Sequence, residues 1–145
     1  MALALYSRPS ADSLLSSLNP FTITFDGRTG GEQDKLVYIR NDATDRYYDD
    51  IVISVIDTES PDLVSGSIAG FVWKLMRKDI APTNEEWSRV EPGNSLALDV
   101  ALGDQYFADI VTFIPVWVRV GVPRGIKIQT ITDIVLRLDA TEHAI

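Results

Sequence analysis

Cysteine is absent from this sequence of 145 residues, and histidine occurs once, at His143. Without cysteine the chain forms no disulfide, has no thiolate metal site and carries no cysteine nucleophile. A single histidine cannot build a histidine-clustered zinc site, and it makes Ser-His-Asp chemistry a poor expectation. We therefore expect no metal, no cofactor and no catalytic residue in this chain.

Basic residues are also scarce: 13 lysines and arginines stand against 21 acidic side chains, for a formal net charge of −8. Proteins that bind the phosphate backbone do so through clustered lysine and arginine, so a direct nucleic-acid partner is not expected. No apolar run approaches the roughly 18–20 residues of a membrane helix, so a membrane partner is not expected either. The first 20 residues lack the basic start of a signal peptide, which predicts synthesis in a cytoplasm without export.

Alternating apolar and polar residues dominate the chain from Phe21 onward. A period of two is typical of half-buried strands, and turn signals separate the alternating runs. The pattern predicts an all-β domain over residues 20–145, an immunoglobulin-like antiparallel β-sandwich of seven to eight strands, with a jelly roll as the alternative. The predicted strands are 21–25, 35–41, 50–57, 71–78, 96–102, 114–122 and 132–140, with a short extension at 126–128.

One segment breaks the strand pattern. Pro82–Trp87 (PTNEEW) contains Thr-x-x-Glu, the spacing of a helix capping box, in which Thr83 and Glu86 cap each other's backbone amides. This spacing predicts a single helical turn that places Trp87 against the sandwich.

The first 19 residues form a segment of different composition, which we interpret as an N-terminal arm. Its five leucines are too many for a solvated tail, and they predict either a disordered terminus or an arm that docks on a neighbouring subunit. A short helix over residues 14–18 is also predicted, ended by Asn19-Pro20. The arm's predicted contact residues are Leu3, Leu5, Leu14, Leu15 and Leu18.

Two polar loops carry patterns that suggest a site only weakly. The stretch 41–50 is rich in aspartate, but it lacks the spacing of a calcium loop and contains Arg46, so a solvated loop is favoured. The stretch 26–31 is rich in glycine without the Walker spacing, which favours a flexible connection. Loops at 26–34 and 58–70 are expected to contact neighbouring molecules.

Trp117 and Arg119 are the predicted contact residues of the sandwich itself. Both fall on the polar side of the strand 114–122. Tryptophan and arginine are enriched at binding hot spots, and arginine outnumbers lysine here by nine to four. This pair therefore indicates an interface.

Three segments carry a resemblance to a known group of proteins: Pro82–Trp87 (PTNEEW), Pro115–Arg119 (PVWVR) and Thr132–Leu138 (TDIVLRL). In their order and spacing, over roughly residues 71–141, they resemble small β-sandwich virion proteins of tailed bacteriophages. The resemblance implies a non-enzymatic structural subunit, either a capsid decoration or cement protein or a neck, tail or baseplate component. Its implied partners are other virion structural proteins and further copies of itself, as a homo-oligomer in the assembled particle.

A second hypothesis belongs to a different class of function. The chain could be a carbohydrate- or protein-binding module of a surface system. It would then present an aromatic platform built from Trp117, or from Tyr47 and Tyr48.

Overall fold

The computed structural model describes residues 3–8, 13–15, 31–43, 45–57, 67–68, 71–93, 95–102, 113–122 and 134–144. These ranges contain eight β-strands and one short α-helix. The elements are β1 (Leu3–Tyr6), β2 (Gly31–Asn41), β3 (Arg46–Asp57), β4 (Ser67–Ile68), β5 (Phe71–Arg77), α1 (Asn84–Ser88), β6 (Ser95–Ala97), β7 (Phe113–Val122) and β8 (Ile134–Ala144).

The strands form two antiparallel sheets. The large sheet has five strands in the order β1-β2-β7-β5-β4, and the small sheet has three in the order β6-β3-β8. Strand β2 pairs with β7, β3 with β6 and β4 with β5, so these pairings are nested and the chain passes repeatedly from one sheet to the other. The predicted all-β antiparallel sandwich of seven to eight strands is confirmed, while its immunoglobulin-like or jelly-roll type stays a prediction.

The core lies between the two sheets and follows from the period-two spacing. On β7, the four alternate residues from Ile114 to Val120 are buried, as predicted. On β3, the three alternate residues from Ile51 to Val55 are buried and belong to the same apolar cluster. Each such side chain contributes about 1.5–3 kcal/mol by its burial. Apolar packing of the two inner faces is therefore the main force that joins the sheets.

The aspartate-rich stretch departs from its predicted form as a loop over residues 41–50. Strand β3 already begins at Arg46, and a bulge shifts its register with β8 between Asp49 and Val52. Asp50 has a φ of 49°, in the left-handed region that aspartate tolerates better than most residues. The bulge shifts by one residue which side chains of β3 point inward. The residues before the bulge therefore do not continue the alternation from which the strand 50–57 was predicted.

Three further predictions need correction in their extent. The predicted loop 58–70 contains strand β4 (Ser67–Ile68). The predicted strand 96–102 is shortened to β6, although Leu98 and Leu102 beyond it are still buried in the core. The predicted loop 26–34 is already strand β2 from Gly31. The predicted strand 21–25 and the extension 126–128 lie outside the described residues.

The N-terminal segment forms the edge of the large sheet. Strand β1 pairs with β2, and Leu3 has only 3% of its surface exposed in the core of its own chain. The backbone N–H of Leu15 donates to the carbonyl of Leu5 at 2.9 Å. Leu14 forms an isolated β-bridge with Tyr6, which replaces the start of the predicted helix over residues 14–18. The arm's boundary at residue 19 stays a prediction.

No helix among the described residues has the length and the apolar character needed to span a membrane.

Candidate interaction surface

The outer face of the large sheet, the side turned away from the core, holds both predicted contact residues of the sandwich. Because Val116, Val118 and Val120 point inward, Trp117 and Arg119 between them point outward. Trp117 pairs in register with Leu36 of β2, and Arg119 pairs with Asp34. The two side chains are therefore neighbours on this face, as the sequence predicts.

Helix α1 packs on this outer face. Thr83 is its N-cap: the Thr83 hydroxyl accepts from the Glu86 amide at 3.2 Å, and the Glu86 carboxylate accepts from the Thr83 amide at 3.1 Å. The predicted capping box is thus confirmed. The turn buries Trp87, whose carbonyl accepts from Lys74 Nζ of β5 at 3.0 Å. The helix is therefore attached to the sheet at Trp87.

Arg119 is the centre of a polar cluster at the contact between α1 and the sheet. Its guanidinium donates to both carboxylate oxygens of Asp34, at 2.7 and 3.0 Å, and to Asn84 Oδ1 at 2.9 Å. It also pairs with Glu32, and its Cζ lies 5.1 Å from the centroid of the Trp87 ring. The hydrogen bond with Asp34 raises the pKa of Arg119.

This cluster changes the interpretation of Arg119. Only 11% of its side chain is exposed, and its donors bind groups of the same chain. A bidentate carboxylate pair and a cation–π contact are the interactions that arginine makes best. Arg119 therefore joins β7, β2 and α1 within the chain and forms the polar border of any contact on this face.

Trp117 is half-buried, and its indole N–H donates to the carbonyl of Lys78 at 3.1 Å. Among the described residues of this face, the most exposed aromatic side chain is instead Phe113, with 41% exposure. Phe113 makes an edge-to-face contact with Tyr38, with ring centroids 5.8 Å apart. Ile80 follows β5 by three residues and is 74% exposed.

We call Tyr38, Phe113 and Trp117 the aromatic patch; the exposed Ile80 lies after β5, outside the paired sheet. Sequence reasoning missed Phe113, although a period of two places it on the same side of the strand as Trp117. It missed Ile80 because the residue lies in the irregular stretch between a strand and a helix, where the alternation gives no signal.

The predicted arm residues separate by burial. Leu3 is buried, and Leu5 and Leu15 are partly buried against the core. Leu14 is 45% exposed, and it forms the β-bridge with Tyr6. Leu18 lies outside the described residues.

The tyrosine platform suggested for a binding module is not formed. Tyr48 is fully buried, and its hydroxyl donates to Glu142 Oε1 at 2.6 Å. This hydrogen bond lowers the pKa of Glu142. Tyr47 stacks on His143 with ring centroids 4.6 Å apart, and His143 Nε2 lies 2.8 Å from Asp49 Oδ1. Placing Tyr48 on an exposed platform was therefore wrong, because the bulge in β3 turns it into the core.

No group of three or more histidine, cysteine, aspartate or glutamate side chains in the described ranges is arranged to hold a metal ion. Comparison of the chain with protein-family models, with curated proteins and with solved structures finds no match.

Proposed function

We propose that this chain is a non-enzymatic structural subunit of a tailed-phage virion, either a capsid decoration or cement protein or a component of the neck, tail or baseplate. In this proposal it is made in the host cytoplasm and then binds other virion structural proteins. It acts through protein–protein contacts, as a homo-oligomer in the assembled particle, and it touches neither nucleic acid nor membrane directly.

The observation that carries the proposal is the aromatic patch beside the Arg119 cluster. Aromatic side chains at the centre with arginine at the border are the composition of protein–protein contacts. The patch lies on a paired sheet, and the cluster fixes its border, so little ordering is needed on binding. Such preorganisation raises affinity by lowering the entropy lost in the complex.

The charge of the chain supports the same use. A formal net charge of −8 gives every copy the same sign of charge, which opposes non-specific aggregation. Capture then requires a surface that offers apolar contact together with compensating charge. This is the behaviour expected of a subunit that is made free and later joins a particle.

The experiment measures whether the chain is part of a particle. Particles are purified on a density gradient from lysates of the host that carries this gene, and the chain is quantified by mass spectrometry against the major capsid protein. We expect a fixed copy number in intact particles. Absence of the chain from purified particles would contradict the proposal.

A pair of variants tests the patch itself. Phe113→Asp places a carboxylate in the patch, whereas Ala97→Asp adds one to an exposed position of the small sheet. Loss of about 1.4 kcal/mol of contact energy lowers incorporation about tenfold. We expect that loss or more for the patch variant and none for Ala97→Asp, with unchanged far-ultraviolet circular dichroism in both. Equal incorporation of the two variants would remove the patch from the proposal.

The alternative function, a carbohydrate- or protein-binding module of a surface system, is favoured by one observation. The exposed ring of Phe113 beside Tyr38 could stack on a sugar ring. A glycan array with the purified chain tests it, and saturable binding that Phe113→Ala abolishes would support this alternative over a virion role.

A further inference from the structure

Strand β8 forms an unusual edge of the small sheet. The other edge strands are short: β4 has two residues, β6 has three, and β1 has four. Strand β8 has 11 residues, and throughout the part of the chain that the structure describes it pairs with β3 alone. Proteins normally keep such edges short or blocked, because a long row of free N–H and C=O groups pairs with any suitable strand.

The side chains of β8 are arranged symmetrically about Leu138. Leu136, Leu138 and Ala140 pack against the core, whereas Arg137 and Asp139 point outward and are exposed. Arg137 Nε binds Asp139 Oδ2 at 3.0 Å within the strand. One positive and one negative side chain therefore stand on the outer face, on either side of the central leucine.

We propose that β8 pairs with β8 of a second copy of this chain, antiparallel and with Leu138 on the two-fold axis. Residues directly opposite in an antiparallel pair lie on the same face of the sheet. Arg137 then lies opposite Asp139 of the second copy, and Asp139 lies opposite its Arg137. The two small sheets of three strands become one continuous sheet of six.

The charges select this register over its neighbours. If the axis passed through Arg137, two arginines would face each other, and if it passed through Asp139, two aspartates would. Like charges directly opposite destabilise a strand pair. With the axis at Leu138, Leu136 lies opposite Ala140 of the second copy, so the apolar inner face also continues across the contact.

This contact extends the proposed assembly role by naming one surface for self-association. The particle experiment measures incorporation, and the test below measures the mass of the free chain. A failure here would remove the β8 contact and leave the proposed virion role untouched, so the two failures are distinguishable.

The test uses charge complementation in sedimentation equilibrium. Arg137→Asp gives a chain with two aspartates flanking Leu138, and Asp139→Arg gives a chain with two arginines there. We expect the unchanged chain to sediment as a dimer at micromolar concentration, and each variant alone to dimerise at least tenfold more weakly. An equimolar mixture should regain the dimer, because each aspartate then faces an arginine of the other copy.

Complementation separates the contact from an effect within one chain, because neither variant keeps the Arg137–Asp139 pair. Arg89→Asp makes the same charge change on α1, at an exposed side chain, and we expect it to leave the dimer unchanged. A monomeric unchanged chain would overturn the proposal, as would dimers that persist in both single variants. A mixture that stays monomeric would also overturn it.

Discussion

Replacing Arg119 by methionine tests whether this residue stabilises the fold or is held ready for a partner. Removing one member of a buried ion pair costs about 3–5 kcal/mol, whereas an exposed pair is worth about 0–1 kcal/mol. The side chains of Arg119 and Asp34 are 11% and 26% exposed. The pair therefore lies between the two limits, and we expect Arg119→Met to lower the free energy of unfolding by about 2–3 kcal/mol.

The assay is urea denaturation followed by the fluorescence of the three tryptophans, among them Trp87 beside the guanidinium, with circular dichroism as a second probe. Arg119→Lys keeps the charge and loses the planar fork, so its loss should be intermediate, about 1–2 kcal/mol. Arg89→Met is the matched control, since its pair with Glu85 on α1 is 71% and 78% exposed and is worth about 0.3–0.5 kcal/mol.

A double-mutant cycle with Asp34→Asn isolates the pair itself. We expect a coupling energy of about 1 kcal/mol or more, because the two groups share two hydrogen bonds. If Arg119→Met costs no more than Arg89→Met, then the cluster does not stabilise the fold. Arg119 would in that case be available for a partner, as the sequence alone suggests.

Three further predictions follow from single contacts. Thr83→Ala removes the N-cap of α1 and should cost about 0.5–2 kcal/mol in thermal denaturation, whereas Thr83→Ser should cost little. Leu3→Ala in β1 should cost about 2–5 kcal/mol, against less than about 0.5 kcal/mol for Leu14→Ala, and equal losses would contradict the placement of β1 in the core. Burial and the hydrogen bond to Asp42 raise the pKa of Tyr6 from 10.0 to about 12. The stability that this shift provides is complete below pH 10.0 and is lost as pH rises toward about 12, so an ultraviolet titration should show a tyrosine contribution near pH 12 that Tyr6→Phe removes.

The hydrogen bond of Tyr6 also predicts how stability changes at acid pH. The tyrosine hydroxyl donates to Asp42 Oδ2 at 2.6 Å and lowers the pKa of that carboxyl, with Arg40 as a second cause. A lowered pKa adds stability above the ordinary value of 3.8, and this stability is lost as pH falls through the folded-state value. Urea midpoints measured from pH 6 down to pH 2 should therefore fall less steeply for Tyr6→Phe than for the unchanged chain.

Regular alternation made most of the sandwich predictable. Strand β7 alternates without interruption, and its inward valines are the ones that the sequence indicates. The capping box was equally readable, because Thr83 and Glu86 interact over three residues and need no distant partner. Local patterns of this kind can be recognised in a sequence because the residues that interact are close together along the chain. The tertiary structure buries them without changing these local interactions.

Two elements could not be read in this way. Strand β1 shows no alternation of apolar and polar residues, because Leu3 and Leu5 face the core and Tyr6, on the other face, is buried against Asp42. The bulge at Asp50 shifts the inward face of β3 by one residue, so the pattern before it suggests the wrong side. In both cases the deciding contacts come from strands far along the chain.

The position of the site could be predicted from the sequence, but the residues that bind Arg119 could not. The sequence indicates that Trp117 and Arg119 share a polar face, but the groups that bind Arg119 are 85 and 35 residues away, at Asp34 and Asn84. Antiparallel register and the placement of α1 bring them together, and neither can be derived from one strand. An arginine on a polar face therefore indicates a contact without revealing whether the contact lies within the chain or outside it.

The two proposed contacts lie on different sheets, which bears on how they would work together. The aromatic patch is on the outer face of the large sheet, and the β8 edge belongs to the small sheet. Pairing at β8 would leave both patches of the dimer uncovered and fixed relative to each other. A partner that offers two matching sites would then bind the dimer far more tightly than one copy, because the second binding event becomes intramolecular. Loss of β8 pairing should therefore weaken incorporation into a particle even when every residue of the patch is unchanged.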